Sequence, residues 1–439
     1  MKSAIQPVNI GLLGLGTVGG GTLDVLMQNA TEIARRAGRD IIVSHASSRS
    51  QHVKADALTK VTLSDDPFQI VDQPEVDIIV ELIGGCTPAL ELVMQAIANG
   101  KHVVTANKAL IALHGNEIFA AAQRQGVTVA FEAAVAGGIP IIKAVREGLA
   151  ANHIEWMAGI INGTGNYILT EMRDKGREFT EVLQEAQALG YAEADPAFDI
   201  QGTDAAHKLT ILASLAFGIP LQFDTCYTEG ISHIQPQDVE NAAQLGYRIK
   251  HLAITRKTTD GVELRVHPTL IPASCLLANV HGVMNAVLIN GDAVGPTLHY
   301  GAGAGALPTA SAVVADIIDV TRTLTTDPGN RVPHLAFQAN ELSDVNVLPM
   351  EAVTTAYYLR MTAMDKPGVL AAITKILAEA GVSIEAMRQQ EPAAGMQQVP
   401  LVILTHPVQE QQMNQALAQI TALPEIIEDV VRLRVEQLA

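Results

Sequence analysis

At 439 residues with 48% hydrophobic composition, the chain can fill more than one core, and at ~150 residues per domain it should form about three units. A net charge of −17 excludes a broad phosphate-tracking surface, because nucleic-acid binding draws its affinity from clustered Lys and Arg. Cys86, Cys226 and Cys275 are few, odd in number and without CxxC spacing, which argues against a disulfide framework or a zinc site and for a reducing compartment.

The chain passes quickly from Met1 to the strand-like VNIGLLG, with no signal-peptide pattern, so a cytoplasmic location is expected. Strand-like runs at 8–13, 41–46, 76–82, 102–105 and 127–132 alternate with helical stretches, the pattern of a parallel sheet flanked by helices. Residues 1–140 should therefore form a Rossmann-type α/β domain. From 141 to 325 the pattern becomes α+β, with strands at 152–160, 247–256, 262–270 and 284–289. The stretch 266–291 has no Asp, Glu, Lys or Arg, yet Pro268 and Pro272 interrupt it, so it reads as buried strands and loops and not as a membrane span. A loop at 301–306 leads into a helix over 307–325 that returns to the first domain. A linker at 326–354 precedes a βαββαβ order over 355–439, the ferredoxin-like plan.

GLGTVG, with Gly14, Gly16, Thr17, Val18 and Gly19, sits between an apolar strand and a helix. Gly14 permits the tight turn, Gly16 lets the backbone approach a pyrophosphate, and Gly19 lets the helix pack on the sheet. Where the second strand ends, the sequence reads HASSRS. No carboxylate stands there to bind ribose hydroxyls, and Ser47, Ser48 and Arg49 can meet a 2′-phosphate. NADP is the favoured cofactor, with NAD left open and an ordinary surface role for Arg49 as the alternative.

Hydride transfer from an alcohol needs a group that exchanges a proton with the substrate oxygen. Lys108, in VVTANKAL, lies just past a strand, at the sheet edge where doubly wound folds bind ligands; a solvated loop lysine is the alternative. Asp204 and Lys208 are four apart in GTDAAHKLTILASLAFG and share one helix face. No charge occurs in the ten residues that follow, so the helix is expected to be buried and to aim this pair into a cavity or interface, against the reading as a surface ion pair. Just upstream, Glu193, Asp195 and Asp199 crowd a Pro- and Gly-punctuated loop. With Asp204 they form a cradle suited to a substrate ammonium group, although Asp195 reads better as solvated.

These motifs, together with ELIGG, TANKALIA, EAAVAGGIPII, GIINGTGNYIL and GAGAGALPTA, resemble the homoserine dehydrogenases of the longer bacterial type along nearly the whole chain. The resemblance implies reversible NAD(P)-dependent oxidation of L-homoserine to L-aspartate 4-semialdehyde, on the route to threonine and methionine. It implies Lys208 as proton donor and acceptor, Glu193 and Asp204 as substrate holders, Lys108 beside cofactor and substrate, and Gly305 closing over the cofactor. It also implies a sodium site at Glu132, Val135, Gly137 and Ile139, built mostly from backbone oxygens; a glycine-rich hinge explains the same residues. Gly165, in NGTGN, departs from the expected hydroxyl or small residue. The C-terminal segment resembles an ACT domain, with Asp365, Pro367, Gly368 and Leu370 in its signature turn. That likeness implies feedback by an amino acid, threonine, and a homodimer or homotetramer; a dimerisation module with an empty pocket is the alternative. Two other functions compete. An aspartate-semialdehyde dehydrogenase would need Cys86 as a thiolate nucleophile, and a silent amino-acid sensor would need no proton-transfer lysine.

Overall fold

The apolar run VNIGLL forms strand β1 (Val8–Leu13), whose Ile10, Leu12 and Leu13 are fully buried. The computed structural model describes residues 6–48, 58–389 and 397–438. After β1 come α1 (Thr17–Gln28), α2 (Ala30–Ala37), β2 (Ile41–Ser47), β3 (Thr62–Ser64), α3 (Pro67–Val71), β4 (Ile78–Glu81), α4 (Ala89–Ala98), β5 (His102–Thr105), α5 (Lys108–Gln125) and β6 (Val129–Ala130). The chain continues through α6 (Ile141–Lys143), β7 (Ile154–Ile160), α7 (Gly163–Lys175), α8 (Phe179–Ala188), α9 (Ala197–Ile200), α10 (Thr203–Phe217), β8 (Tyr227–Thr228), α11 (Pro236–Gln244), β9 (Tyr247–Lys257), β10 (Val262–Pro272), β11 (Met284–Gly291), β12 (Gly295–Ala302) and α12 (Ala306–Thr323). It closes with β13 (Thr354–Met364), α13 (Val369–Glu379), β14 (Ile384–Gln389), β15 (Gln398–Thr405), β16 (Val408–Gln409), α14 (Glu410–Thr421) and β17 (Val431–Val435).

Two compact units result, and they interleave along the chain. The first comprises residues 1–157, 207–224 and 284–345. Its parallel sheet has the order β3-β2-β1-β4-β5-β6. The order reverses between β1 and β4, so their carboxyl ends open a crevice where such sheets bind ligands. Helix α12 packs along α1: a Cβ on Gly21 would stand 2.7 Å from the Ala306 carbonyl oxygen, so glycine permits the approach.

Two departures from the sequence-based expectation bear on the glycine-rich segments of this unit. The run 127–132 yields only the two-residue β6, after which residues 132–134 turn as a short 3₁₀ segment. The Glu132 carboxylate explains this, since it turns back to accept from the backbone amides of Ile142 and Lys143, both at 2.9 Å. The segment expected as a loop from 301 begins inside a strand, because Gly301 and Ala302 end β12, which pairs antiparallel with β11.

Two histidines in this unit, one buried and one half-buried, act as acceptors. His102 Nδ1 receives the Thr128 amide at 3.0 Å and His334 Nε2 the Val129 amide at 3.1 Å. Burial lowers both to about 4. Because the unfolded chain protonates them nearer 6.5, it gains protons first as pH falls, and stability drops between 6.5 and 4 by up to ~1.4 kcal/mol per pH unit for each. Denaturant unfolding at a series of pH values should show this loss in wild type and a smaller one in His334→Gln; identical slopes would contradict it.

The second unit comprises residues 158–206, 225–283 and 346–439. Its strands run β9-β10-β17-β13-β15-β14. The last four follow the ferredoxin-like order, and β17 joins them to the rest by pairing parallel to β10 through Thr269 with Arg434 and Leu270 with Val435. The ACT-like segment thus shares one sheet with β9 and β10. Buried ions fasten the seam: Arg434 contacts Glu410 at 2.5 and 3.0 Å and Glu229 at 2.7 Å, while Arg265 contacts Glu436 at 2.6 Å and Glu263 at 2.8 Å.

Candidate active site

In the first unit, the turn between β1 and α1 has the shape a dinucleotide needs. Gly14 has a φ of +96°, and a Cβ there would lie 2.8 Å from the Leu82 carbonyl oxygen. A Cβ on Gly19 would fall 2.0 Å from the Gly14 carbonyl oxygen, whereas at Gly16 it would meet nothing within 4 Å. The turn is therefore tight beneath and open above. Gly16 caps α1 and has no side chain to accept from the first-turn amides, which begin with Thr17 and Val18 and in such a turn can meet an anion. Gly19→Ala is expected to weaken NADPH binding at least about tenfold, since the clash must move the turn itself; an unchanged fluorescence titration would refute this. Ser47 ends β2 and is buried. Arg49 lies outside the described residues.

Sequence reasoning noted ELIGG and TANKALIA as motifs but missed what joins them. Glu81, fully buried at the end of β4, accepts from the amides of Ile83 at 2.8 Å and Gly84 at 3.1 Å, and from the Thr105 hydroxyl at 2.6 Å. Asn107 Nδ2 donates to the Gly85 carbonyl oxygen at 2.6 Å, while its Oδ1 caps α5 by accepting from the Leu110 amide. Lys108 is consequently the first residue of a helix fixed to the β4 turn. Cys86 sits in the same turn, and burial followed by the Glu81 charge raises its thiol pKa. That is the opposite of what a thiolate nucleophile requires.

The segment Glu132 to Ile139 lies against the end of β12. The Gly138 amide donates to the Ala302 carbonyl oxygen at 3.0 Å, and a Cβ on Gly137 would stand 2.5 Å from the Gly303 carbonyl oxygen. Gly301 meets Ile139 in the same way, at 3.1 Å. Gly305, with a φ of +127°, caps α12. The proposed cofactor-closing glycine and the proposed cation loop are thus neighbours in one unit. Burial, and then the adjacent Asp316 charge, push Glu132 up to about 7. Val135 is fully buried. Among the described residues, no group of three or more His, Cys, Asp or Glu is placed to hold a metal, a result that leaves a backbone-oxygen site untouched.

In the second unit the carboxylates gather around an asparagine that the sequence reading did not single out. Asn162 Nδ2 donates to Asp199 at 2.8 Å and to Asp204 at 2.9 Å, while its Oδ1 caps α7 by accepting from the Gly165 amide at 2.7 Å. Thr164 adds a bond to Asp199 at 3.1 Å. An Asn immediately before a helical run is a capping signal, and it was the available clue. The departure at Gly165 also has a cause: a Cβ there would stand 3.3 Å from Asn162 Oδ1, tighter than a comfortable contact. Glu193 is exposed, and its carbonyl oxygen accepts from Gln187. Asp195 accepts from the Ala197 amide, a local structural role. Helix α10 carries both Asp204 (3% exposed) and Lys208 (8% exposed), one turn apart. The turn Asp365, Pro367, Gly368 and Leu370 lines a cavity of about 320 Å³ with Gln389, Val399 and Leu401.

Three family descriptions fit the chain: homoserine dehydrogenase over residues 140–318, the homoserine dehydrogenase NAD-binding domain over 14–132, and the ACT domain over 357–425. A homoserine dehydrogenase of Pseudomonas aeruginosa is 63% identical over 99% of this chain and all of its own length. The chain belongs to the homoserine dehydrogenase family. The structure of a homoserine dehydrogenase from Thiobacillus denitrificans superposes with a TM-score of 0.94 at 64% identity, covering 99% of both chains. A hyperthermophilic archaeal homoserine dehydrogenase in complex with NADPH matches at 27% identity and a TM-score of 0.62, over 72% of this chain and 98% of its own. Homoserine dehydrogenases are oxidoreductases acting on a CH–OH group, and this one combines the NAD-binding, catalytic and ACT parts. No helix of the described residues is long and apolar enough to cross a membrane.

Proposed function

We propose that this homoserine dehydrogenase interconverts L-homoserine and L-aspartate 4-semialdehyde with NADP as its preferred cofactor, that Lys208 handles the proton, and that threonine restrains it through the ACT domain. The observation that carries the reading is the pair Asp204 and Lys208, both buried on successive turns of α10, with Asp204 held beside Asp199 by Asn162.

The residues present fit a nicotinamide dinucleotide, because the cradle at Gly14, Gly16 and Gly19 is filled by any Cβ below and open above. The turn from Gly14 to Gly19, with Thr17 and Val18 at the helix start, would hold the pyrophosphate, Gly305 would close over the dinucleotide, and Lys108 would stand beside it. When bound, the cofactor supplies the two-electron acceptor. Asp199 and Asp204, with Glu193, receive the substrate ammonium. In oxidation Lys208 Nζ takes the hydroxyl proton as the carbon's hydrogen departs with its electron pair; in reduction the ammonium form returns that proton to the forming alkoxide. Lys108 orients the substrate oxygen. The end of β2, with serines and no carboxylate, favours NADP. Glu132, Val135, Gly137 and Ile139 form a sodium-binding loop that steadies the end of β12. The enzyme works in the cytoplasm as a homodimer or homotetramer on the threonine and methionine route.

Initial rates with homoserine and either NADP or NAD, with and without threonine, test these assignments together. The rate should be higher with NADP, and threonine should lower it in wild type but not in Asp365→Ala. Equal rates with both cofactors would remove the NADP preference, and a rate indifferent to threonine would remove the effector.

A further inference from the structure

The first unit holds a second cavity, far along α5 from Lys108. It has a volume of about 640 Å³ and lies between the C-terminal half of α5, the segment Gly126 to Thr128, Pro220, and the segment Pro328 to Leu342. That volume falls in the range that encloses small organic ligands. The walls are largely apolar, with Phe119, Val127, Leu335, Phe337 and Leu342 among the lining residues, and carry the neutral polar side chains of Asn116, Gln123, Thr128 and Gln338. No Asp or Glu lines it. His334 also lines the cavity but is stacked on Phe119 at 5.0 Å and is held neutral by burial, with its pKa near 4.

Arg331 supplies the one charge on the wall. Its Nη1 donates to the Gly126 carbonyl oxygen at 2.7 Å and its Nη2 to the Thr326 carbonyl oxygen at 3.0 Å, which fix the guanidinium in place. Its Nη1 also lies 3.4 Å from the Thr128 hydroxyl, a second lining residue. Asp327, whose charge bears on Arg331, accepts with its carboxylate from the Gly329 amide at 2.9 Å. A fixed cation on a largely apolar wall that carries no carboxylate calls for a ligand that is anionic at one end and apolar along its body.

We infer that this cavity binds a small apolar carboxylate, with the carboxylate on Arg331 and the body against Phe119 and Leu335. The site is separate from the β1–α1 turn and from the ACT cavity, since none of its lining residues occurs in either.

Titration calorimetry of the full chain with phenylbutyrate, and with phenylbutanol as its uncharged counterpart, tests the assignment. Phenylbutyrate should bind at one saturable site, and phenylbutanol about tenfold more weakly. Arg331→Met should erase the difference between the two. Ala120→Phe places bulk into the cavity from an exposed position of α5 and should abolish binding of both while the circular dichroism spectrum stays unchanged. Lack of saturation, equal affinity for acid and alcohol, or undiminished binding by Ala120→Phe would each overturn the proposal. So would a shift in assembly mass by Ala120→Phe without ligand binding in wild type, which would give the surface to a second copy of the chain.

Discussion

Lys208→Ala is expected to lower turnover about a thousandfold in either direction while NADPH affinity stays at the wild-type value. The first half follows from the chemistry, since general acid–base groups contribute roughly 10²- to 10⁴-fold and no other proton-carrying side chain sits on this turn of α10 except His207. The second half follows from placement, since the glycine turn that would hold the pyrophosphate lies between β1 and α1 and takes nothing from α10. Asp204→Ala should differ in kind, raising KM far more than it lowers kcat, because it would hold the substrate and not the migrating proton. Lys208→Arg, which keeps the charge but cannot give up a proton near neutrality, should be nearly as slow as the alanine variant. Stopped-flow rates and fluorescence titration of the same preparations separate the two effects, and Lys208→Ala turning over at the wild-type rate would remove the lysine from the mechanism.

The second large effect concerns stability. Arg434 is fully buried and joins Glu410, Glu229 and the Tyr227 hydroxyl, while Tyr357 donates to Glu410 at 2.7 Å. Breaking such a cluster from one side strands the remaining charges, at a cost of about 3–5 kcal/mol. Arg434→Met is therefore expected to destabilise the second unit by that order, and the paired change Arg434→Met with Glu410→Leu should recover part of the loss. Equilibrium unfolding of the three variants measures this, and a single variant as stable as wild type would contradict it. The cluster also reaches toward the site. The Glu229 carbonyl oxygen meets His251 Nε2 at 2.9 Å, and His251 and Thr228 close around Gly202, the residue before α10. The last strand of the ACT-like segment thus braces the loop that delivers Asp204.

What could be read from the sequence was local. The turn at Gly14, Gly16 and Gly19 is legible because three glycines act through spacing alone, and the pair Asp204 and Lys208 because a helix fixes which residues share a face. The ferredoxin-like order of β13 to β17 followed from alternating periodicities in one segment. Long-range partners were not legible. Asn162 bonds to Asp199 and Asp204 across 37 and 42 residues, and Arg434 reaches Glu229 across 205. No local pattern encodes such pairings, nor the parallel register that merges β17 with β10. The strand β12 escaped notice because its residues are half-exposed and it carries a glycine near each end, Gly295 and Gly301, which weakens the alternation that marks a strand. The strand read over 127–132 shortens to β6 because Glu132 bonds backbone across ten residues, a tertiary demand that overrides β propensity.

The most direct measurement uses L-homoserine carrying deuterium at its hydroxymethyl carbon, incubated with the enzyme and NADP, with the dinucleotide recovered for mass spectrometry. Reduced dinucleotide one deuteron heavier, together with a singly deuterated semialdehyde, is the expected result. Dinucleotide recovered without the label would contradict hydride transfer from homoserine at this site.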